Sequence, residues 1–172
     1  MFLKLLKNFV LKRKLKNSLL NVNTISSEAK IKTVGILTDE TYFNNREGLI
    51  KELIGNGIQT ENIKILIYKD KIKKNEDSIY PVFGLNSIHW DGSFKSDEVS
   101  NFTGLGFDML ISYYDIEKAA LLLVTQRTNA NFKVGFSTID KRLNHFMINT
   151  VAENYTVFTN ELFRYLKILN KI

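Results

Sequence analysis

Apolar and polar positions divide this chain into alternating helix-like and strand-like segments. In residues 2–20, Phe2, Leu5, Leu6 and Phe9 share one side of a helix, and Leu11, Leu15 and Leu19 step by four along a stripe that drifts. Val34, Ile36 and Leu37 form a short apolar run closed by Thr38-Asp39-Glu40, the pattern of a buried strand. Asn44, with Glu47 three residues on, predicts a capped helix buried on Leu49, Ile50, Leu53 and Ile54 and ended by Gly55 and Gly57. Ile63, Ile65, Leu66 and Ile67 predict a second strand. Strand, helix and strand joined by short links make a βαβ unit with parallel strands.

Residues 70–105 break the rhythm. They read as an irregular excursion with extended pieces near Tyr80–Phe83 and Ile88–Trp90 and a short helix near Asp97–Phe102. Loops of this length inside a compact domain are often functional. The alternation resumes with FDMLISYYD, a third strand, then a helix over Ala119–Gln126 buried on Leu122 and Leu123. FKVGF and HFMINT are the fourth and fifth strands. Only Ser137–Asn144 separates those two, too little for the usual parallel crossover of about a dozen residues, so a hairpin with an antiparallel last strand is expected. A capping box from Thr150 to Glu153 opens a final helix with Tyr155, Phe158, Leu162, Leu166 and Leu169 on its buried side. The predicted architecture is an α/β three-layer sandwich around a mainly parallel, about five-stranded sheet. A helical arm (1–22) and a polar linker (23–30) precede a single domain (31–172).

Charge changes this picture at one place. The chain has 24 Lys and Arg against 18 Asp and Glu. Six of the basic residues, Lys4, Lys7, Lys12, Arg13, Lys14 and Lys16, lie in the arm, which has no acid. The remaining 18 basic and 18 acidic residues balance, so the net charge of +6 belongs to the arm. There is no cysteine, which excludes disulfides, zinc-thiolate sites and thiol nucleophiles. Lysines interrupt every apolar run of the arm, and no stretch reaches the roughly eighteen apolar residues of a membrane span. The expected compartment is the cytoplasm.

Ligands of open α/β sheets bind beyond the carboxyl ends of the strands. Asp39 and Asp115 stand at two such ends. They can face one crevice and hold a magnesium ion, or they can be turn and capping residues, with Asp115 capping the helix that follows. Such a carboxylate pair is similar to that of a response-regulator receiver domain or a haloacid-type phosphatase, but a receiver domain would also need a Lys ending its last strand, where Asn149 stands. The turn after the first strand, TDETYFNN, has no glycine. It therefore carries neither the dinucleotide fingerprint nor a P-loop, and no cofactor is expected. His89 and His145 lack metal-ligand spacing. Trp90, the only tryptophan, can stack on a base or anchor the excursion onto the sheet. Lys71, Lys73 and Lys74, with Lys141 and Arg142, can extend a cationic surface begun by the arm, or belong to a solvated mixed-charge face.

The segments SIHWDGSF, GFDMLISYYDIEKAALLLVTQRTNANFKVGFSTIDKRLNHFMINT and ELFRYLKILNKI, with KTVGILTDE and the lysine-rich arm, resemble a family of uncharacterised small proteins of the Bacteroidota, a domain of unknown function. The resemblance implies a bacterial protein with a Rossmann-like or flavodoxin-like core, and it brings no catalytic residues to carry over. Three functional expectations follow. The first is a non-catalytic binding protein whose arm engages RNA or a ribonucleoprotein through Lys4, Lys7, Lys12, Arg13, Lys14 and Lys16. The second is peripheral attachment to an anionic membrane surface by the same arm, with Phe2, Leu3, Leu6 and Phe9 entering the interface. The third is an enzyme using the crevice at Asp39 and Asp115 on a phosphorylated or nucleotide-like molecule. Against all three stands an arm that packs on its own domain or on a protein partner through its apolar stripe, with its lysines in water.

Overall fold

The computed structural model describes residues 2–21, 29–41, 43, 45–72 and 78–172. Four long strands make the centre of one sheet: β1 (Val34–Asp39), β2 (Ile63–Tyr68), β4 (Phe107–Tyr113) and β5 (Ala130–Phe136). Two short strands, β3 (Val82–Phe83) and β6 (Phe146–Ile148), form its edges. The order is β3-β2-β1-β4-β5-β6, and every pairing is parallel. All six residues of β1 are buried, as expected of a parallel strand covered on both faces. The order reverses at β1, where Val34 is level with Ile63 of β2 on one side and Met109 of β4 on the other.

Successive side chains of a strand point to opposite faces, and β4 shows what each face meets. Tyr113 packs edge-on against Phe158 of α5 (Tyr155–Ile168), and α5 packs beside α2 (Arg46–Gly55). Ser112 points the other way and shares a hydrogen bond of 3.3 Å with Thr125 of α4 (Ala119–Arg127). On that second face α4 packs against α3 (Asp97–Gly104) and against the N-terminal helix α1 (Phe2–Ser18). Every residue of α4 from Ala119 to Thr125 is buried. Its C-terminal carbonyls are closed by a buried lysine of β5: Lys133 Nζ donates to Thr125 O at 2.7 Å and Gln126 O at 3.2 Å.

Several local expectations are corrected. The last strand is parallel, because β6 pairs with only Val134–Phe136 of β5. The chain returns about two residues along the strand direction, roughly 7 Å. One 3₁₀ turn, Lys141–Leu143, with Ile139 and Leu143 buried, makes that return. The sheet has six strands because the extended piece near Phe83 joins its edge. The final helix opens at Tyr155 behind Asn154, without the box from Thr150 to Glu153. Both backbone groups of Ala152 are already engaged by the end of β4. Tyr113 Oη donates to Ala152 O at 2.6 Å, and Ala152 N donates to Asp115 Oδ2 at 3.0 Å. Asn45 caps α2 by accepting from Gly48 N at 3.2 Å, while Asn44 lies outside the described residues. Trp90 is 51% exposed, so the excursion is anchored instead by Phe83, Ile88, Val99 and Phe102.

The buried titratable groups give a pH signature. Burial lowers Lys133 from 10.5 to about 8, so between those values the unfolded chain binds a proton that the folded chain does not. Stability therefore rises with pH there, by at most about 1.4 kcal/mol per pH unit. Burial raises Tyr113 and Tyr114, so above pH of about 10 the folded state retains phenolic protons that the unfolded state loses, and stability falls. Urea unfolding midpoints should climb from neutral pH to a maximum below about pH 10 and then drop. In Lys133→Met the climb should shrink while the drop remains.

Candidate functional site

The carboxyl ends of the strands are joined by one lysine. Lys118, just before α4, places Nζ 2.7 Å from Asp39 Oδ2, 3.0 Å from Asp70 Oδ2 and 3.1 Å from Thr41 Oγ1. It also lies 4.9 Å from the centre of the Tyr68 ring, whose hydroxyl donates to Asp70 Oδ1 at 2.8 Å. Asp39 accepts from Thr41 N through its second oxygen at 2.9 Å, the self-closing turn expected of an Asp after a strand. The loops after β1, β2 and β4 are thus cross-linked by an ion network that is buried at Asp39 and open to solvent at Asp70.

Asp39 and Asp115 do line one cavity, of about 310 Å³, with Phe43, Tyr113, Ala152 and Glu153. Each carboxylate is already engaged. Lys118 supplies at Asp39 the charge that a cation would bring, and Asp115 Oδ2 accepts from Ala152 N. The α4 terminus is capped from elsewhere: Ala119 N donates to Asn8 Oδ1 of α1 at 2.9 Å. Among the described residues no group of three or more His, Asp or Glu side chains is placed to hold a metal ion.

Helix α1 resolves the drifting stripe of the sequence into two faces. Leu11, Leu15 and Leu19 are buried in the core, as is Lys7. Lys7 Nζ donates to Leu85 O at 3.0 Å and also to Ile88 O, tying the helix to the excursion. Lys12 and Lys16 converge on Glu117 Oε2 at 2.8 and 2.7 Å, and they hold that carboxyl below its usual range against the opposing effect of its burial. At the far end Arg142 Nη1 donates to Lys16 O at 3.0 Å and Leu19 O at 3.3 Å, closing carbonyls that the helix leaves open. Arg142 is itself paired with Asp140, whose carboxyl it lowers to about 2. The opposite face is bare. Phe2 is 74% exposed and Phe9 62%, and Leu3, Leu6 and Val10 are exposed beside them.

The predicted cations thus fall into two groups. Lys7, Lys12, Lys16 and Arg142 bind the protein's own groups. Lys4, Arg13, Lys14, Lys71 and Lys141 are exposed, with Lys14 making one long contact, 3.4 Å, to Asp91 O. Lys73 and Lys74 lie outside the described residues. Lys118, Asn8 and Lys95 were not singled out from the sequence. One available signal was the composition of α4: AALLLV has no polar side, so a further layer had to cover it.

Residues 7–169 match a family of unknown function (DUF6913), and the chain belongs to that family. The match begins at Lys7 and so includes the docked residues Lys7, Asn8, Leu11 and Leu15. No curated protein and no solved structure gives a match.

The ion network makes a stability prediction. Lys118→Met leaves Asp39 buried without its cation, and unfolding free energy from urea titration should fall by about 3 kcal/mol or more. Adding Asp39→Asn should restore part of that loss, because the uncompensated charge is then gone.

Proposed function

We propose that this protein is a non-catalytic module that attaches peripherally to anionic membrane surfaces through the outer face of α1. The observation that supports it is the exposure of Phe2, Leu3, Leu6, Phe9 and Val10 along one side of a helix whose other side is buried in the domain. Arg13 and Lys14 are exposed beside this patch, and α1 contains no acid. Apolar side chains at the acyl boundary with cations at the headgroups are the chemistry of an interfacial helix. Each Lys or Arg near an anionic surface contributes about 1 kcal/mol. Attachment requires no undocking, since Leu11, Leu15 and Leu19 face the other way. A second copy on the same patch would bring like charges together.

The RNA or ribonucleoprotein reading draws on the same arm but has less support. Lys7, Lys12 and Lys16 are engaged internally, and phosphate contacts would leave Phe2, Leu6 and Phe9 in water. No helix among the described residues is long and apolar enough to cross a membrane, so attachment would be to a surface. The reading includes a Rossmann-like core, supported by the reversal of strand order at β1, of Bacteroidota origin and cytoplasmic location.

Flotation with phosphatidylcholine vesicles, with and without phosphatidylglycerol, tests this. Full-length protein should float only with the anionic vesicles, and high salt should weaken binding without abolishing it. Phe2→Ser/Leu6→Ser/Phe9→Ser should stop flotation at unchanged urea stability, since the substituted side chains are exposed or half-exposed. A variant that floats like wild type, or a protein that sediments with ribosomes and ignores vesicles, overturns the proposal.

A further inference from the structure

We infer that the groove between the first turns of α1 and the segment 86–95 is a phosphate-binding site. It is a cavity of about 280 Å³ lined by Leu3, Lys4, Lys7, Asn86, Trp90 and Lys95. Three of these six are lysines, from two separate parts of the chain, and no carboxylate is among them. Lys7 is nearly buried. An ammonium group has three donors, and two of them go to Leu85 O and Ile88 O. The third has no partner among the described residues, on a side chain that lines the cavity. Burial and then the nearby charge of Lys95 lower Lys7, as expected where positive charge gathers without a counterion.

The wall opposite α1 is built, not loose. His89 N donates to Ser93 O at 2.8 Å, Gly92 N to His89 O at 3.1 Å and Lys95 N to Ser87 O at 2.8 Å. Ile88 and Phe94 form an antiparallel bridge, and Arg127 Nη1 fixes Gly92 O at 2.8 Å. The backbone that carries Lys95 and Trp90 is therefore set before any ligand arrives. The indole lies 5.9 Å from Lys7 Nζ and beside Leu3, an apolar wall next to the charges. Three ammonium groups suit a phosphate dianion, and the Trp90–Leu3 wall suits the carbon skeleton that carries it. A second cavity, of about 220 Å³, shares Lys4 and Asn86 and is of mixed charge, with Asp70 between Lys69 and Lys71. The phosphate can come from a soluble phosphorylated molecule or from a lipid headgroup. The inference rests on this cavity and not on the apolar face of α1.

Trp90 is the only tryptophan, so its emission reports on this groove directly. The full-length protein would be titrated with glycerol 3-phosphate and inorganic pyrophosphate, and separately with phosphatidylcholine vesicles containing phosphatidate. A saturable change in Trp90 emission in either arm is expected, and the responding arm identifies the source. Lys4→Glu/Lys95→Glu, which alters only exposed side chains, should weaken that response roughly ten- to hundredfold at unchanged far-ultraviolet circular dichroism. A response to soluble phosphate in protein that does not float with anionic vesicles supports the groove and removes the membrane reading. Flotation that depends on Phe2, Leu6 and Phe9, with no emission change in either arm, does the reverse. Equal responses from wild type and the double lysine variant also overturn the inference.

Discussion

Helix α4 cannot stand at the surface, and much of the structure follows from that. Its first seven residues are buried on all sides, and Lys118 gives it no side-chain cap. A helix that is apolar all round must be covered by another layer, and an orphan N–H at a buried helix end needs an acceptor. Helix α1 supplies both, laying Leu11 and Leu15 in the core beside α4 and offering Asn8 Oδ1 to Ala119 N. At the other end of α4, Lys133 closes the carbonyls from β5. The N-terminal helix is therefore part of the packing scheme of the second face.

That docking divides the charge of the arm. A lysine facing the domain must find an oxygen, because an unpaired ammonium in a low-dielectric setting is costly. Lys7 takes two carbonyls of the excursion, and Lys12 and Lys16 share Glu117. Lys4, at the open end of the domain-facing side, and Arg13, on the outer side, have no such partner among the described residues. Formal charge counted from sequence treats these residues alike, whereas Lys12 and Lys16 share one carboxylate and Lys7 is held by uncharged carbonyls.

The core of the fold was legible because β1, β2 and β4 each carry a short apolar run, as the two-sided burial of parallel strands requires. The direction of β6 was not legible. The length rule for parallel crossovers assumes a return along a full strand, and here the return spans only three paired residues. Asp39 and Asp115 were legible as residues of one cavity, but their partners were not. Lys118 is adjacent to neither in sequence, and the amide of Ala152 is 37 positions from Asp115. The drift of the N-terminal stripe was visible, yet read as one imperfect face. A single face would have kept Phe2, Leu6 and Phe9 with Leu11 and Leu15. Their separation by roughly half a helical turn marks two faces with different environments.

The two faces also fix geometry for whatever α1 meets. The helix is held at Asn8 and Lys7 near its start, at Glu117 in its middle and at Arg142 near its end. It cannot roll without breaking the Asn8 cap and the charge-assisted contacts of Lys7, Lys12, Lys16 and Arg142, the latter stronger than a neutral hydrogen bond. The outward side chains are thus presented at a set angle to the sheet. The groove of Lys4, Lys95 and Trp90 lies along the same first turns, with Leu3 on its wall. Leu3 thus lies between that groove and the outward side chains Phe2 and Phe9. Because α1 is seated by the contacts that complete α4, the orientation of this patch is set by folding and does not depend on binding.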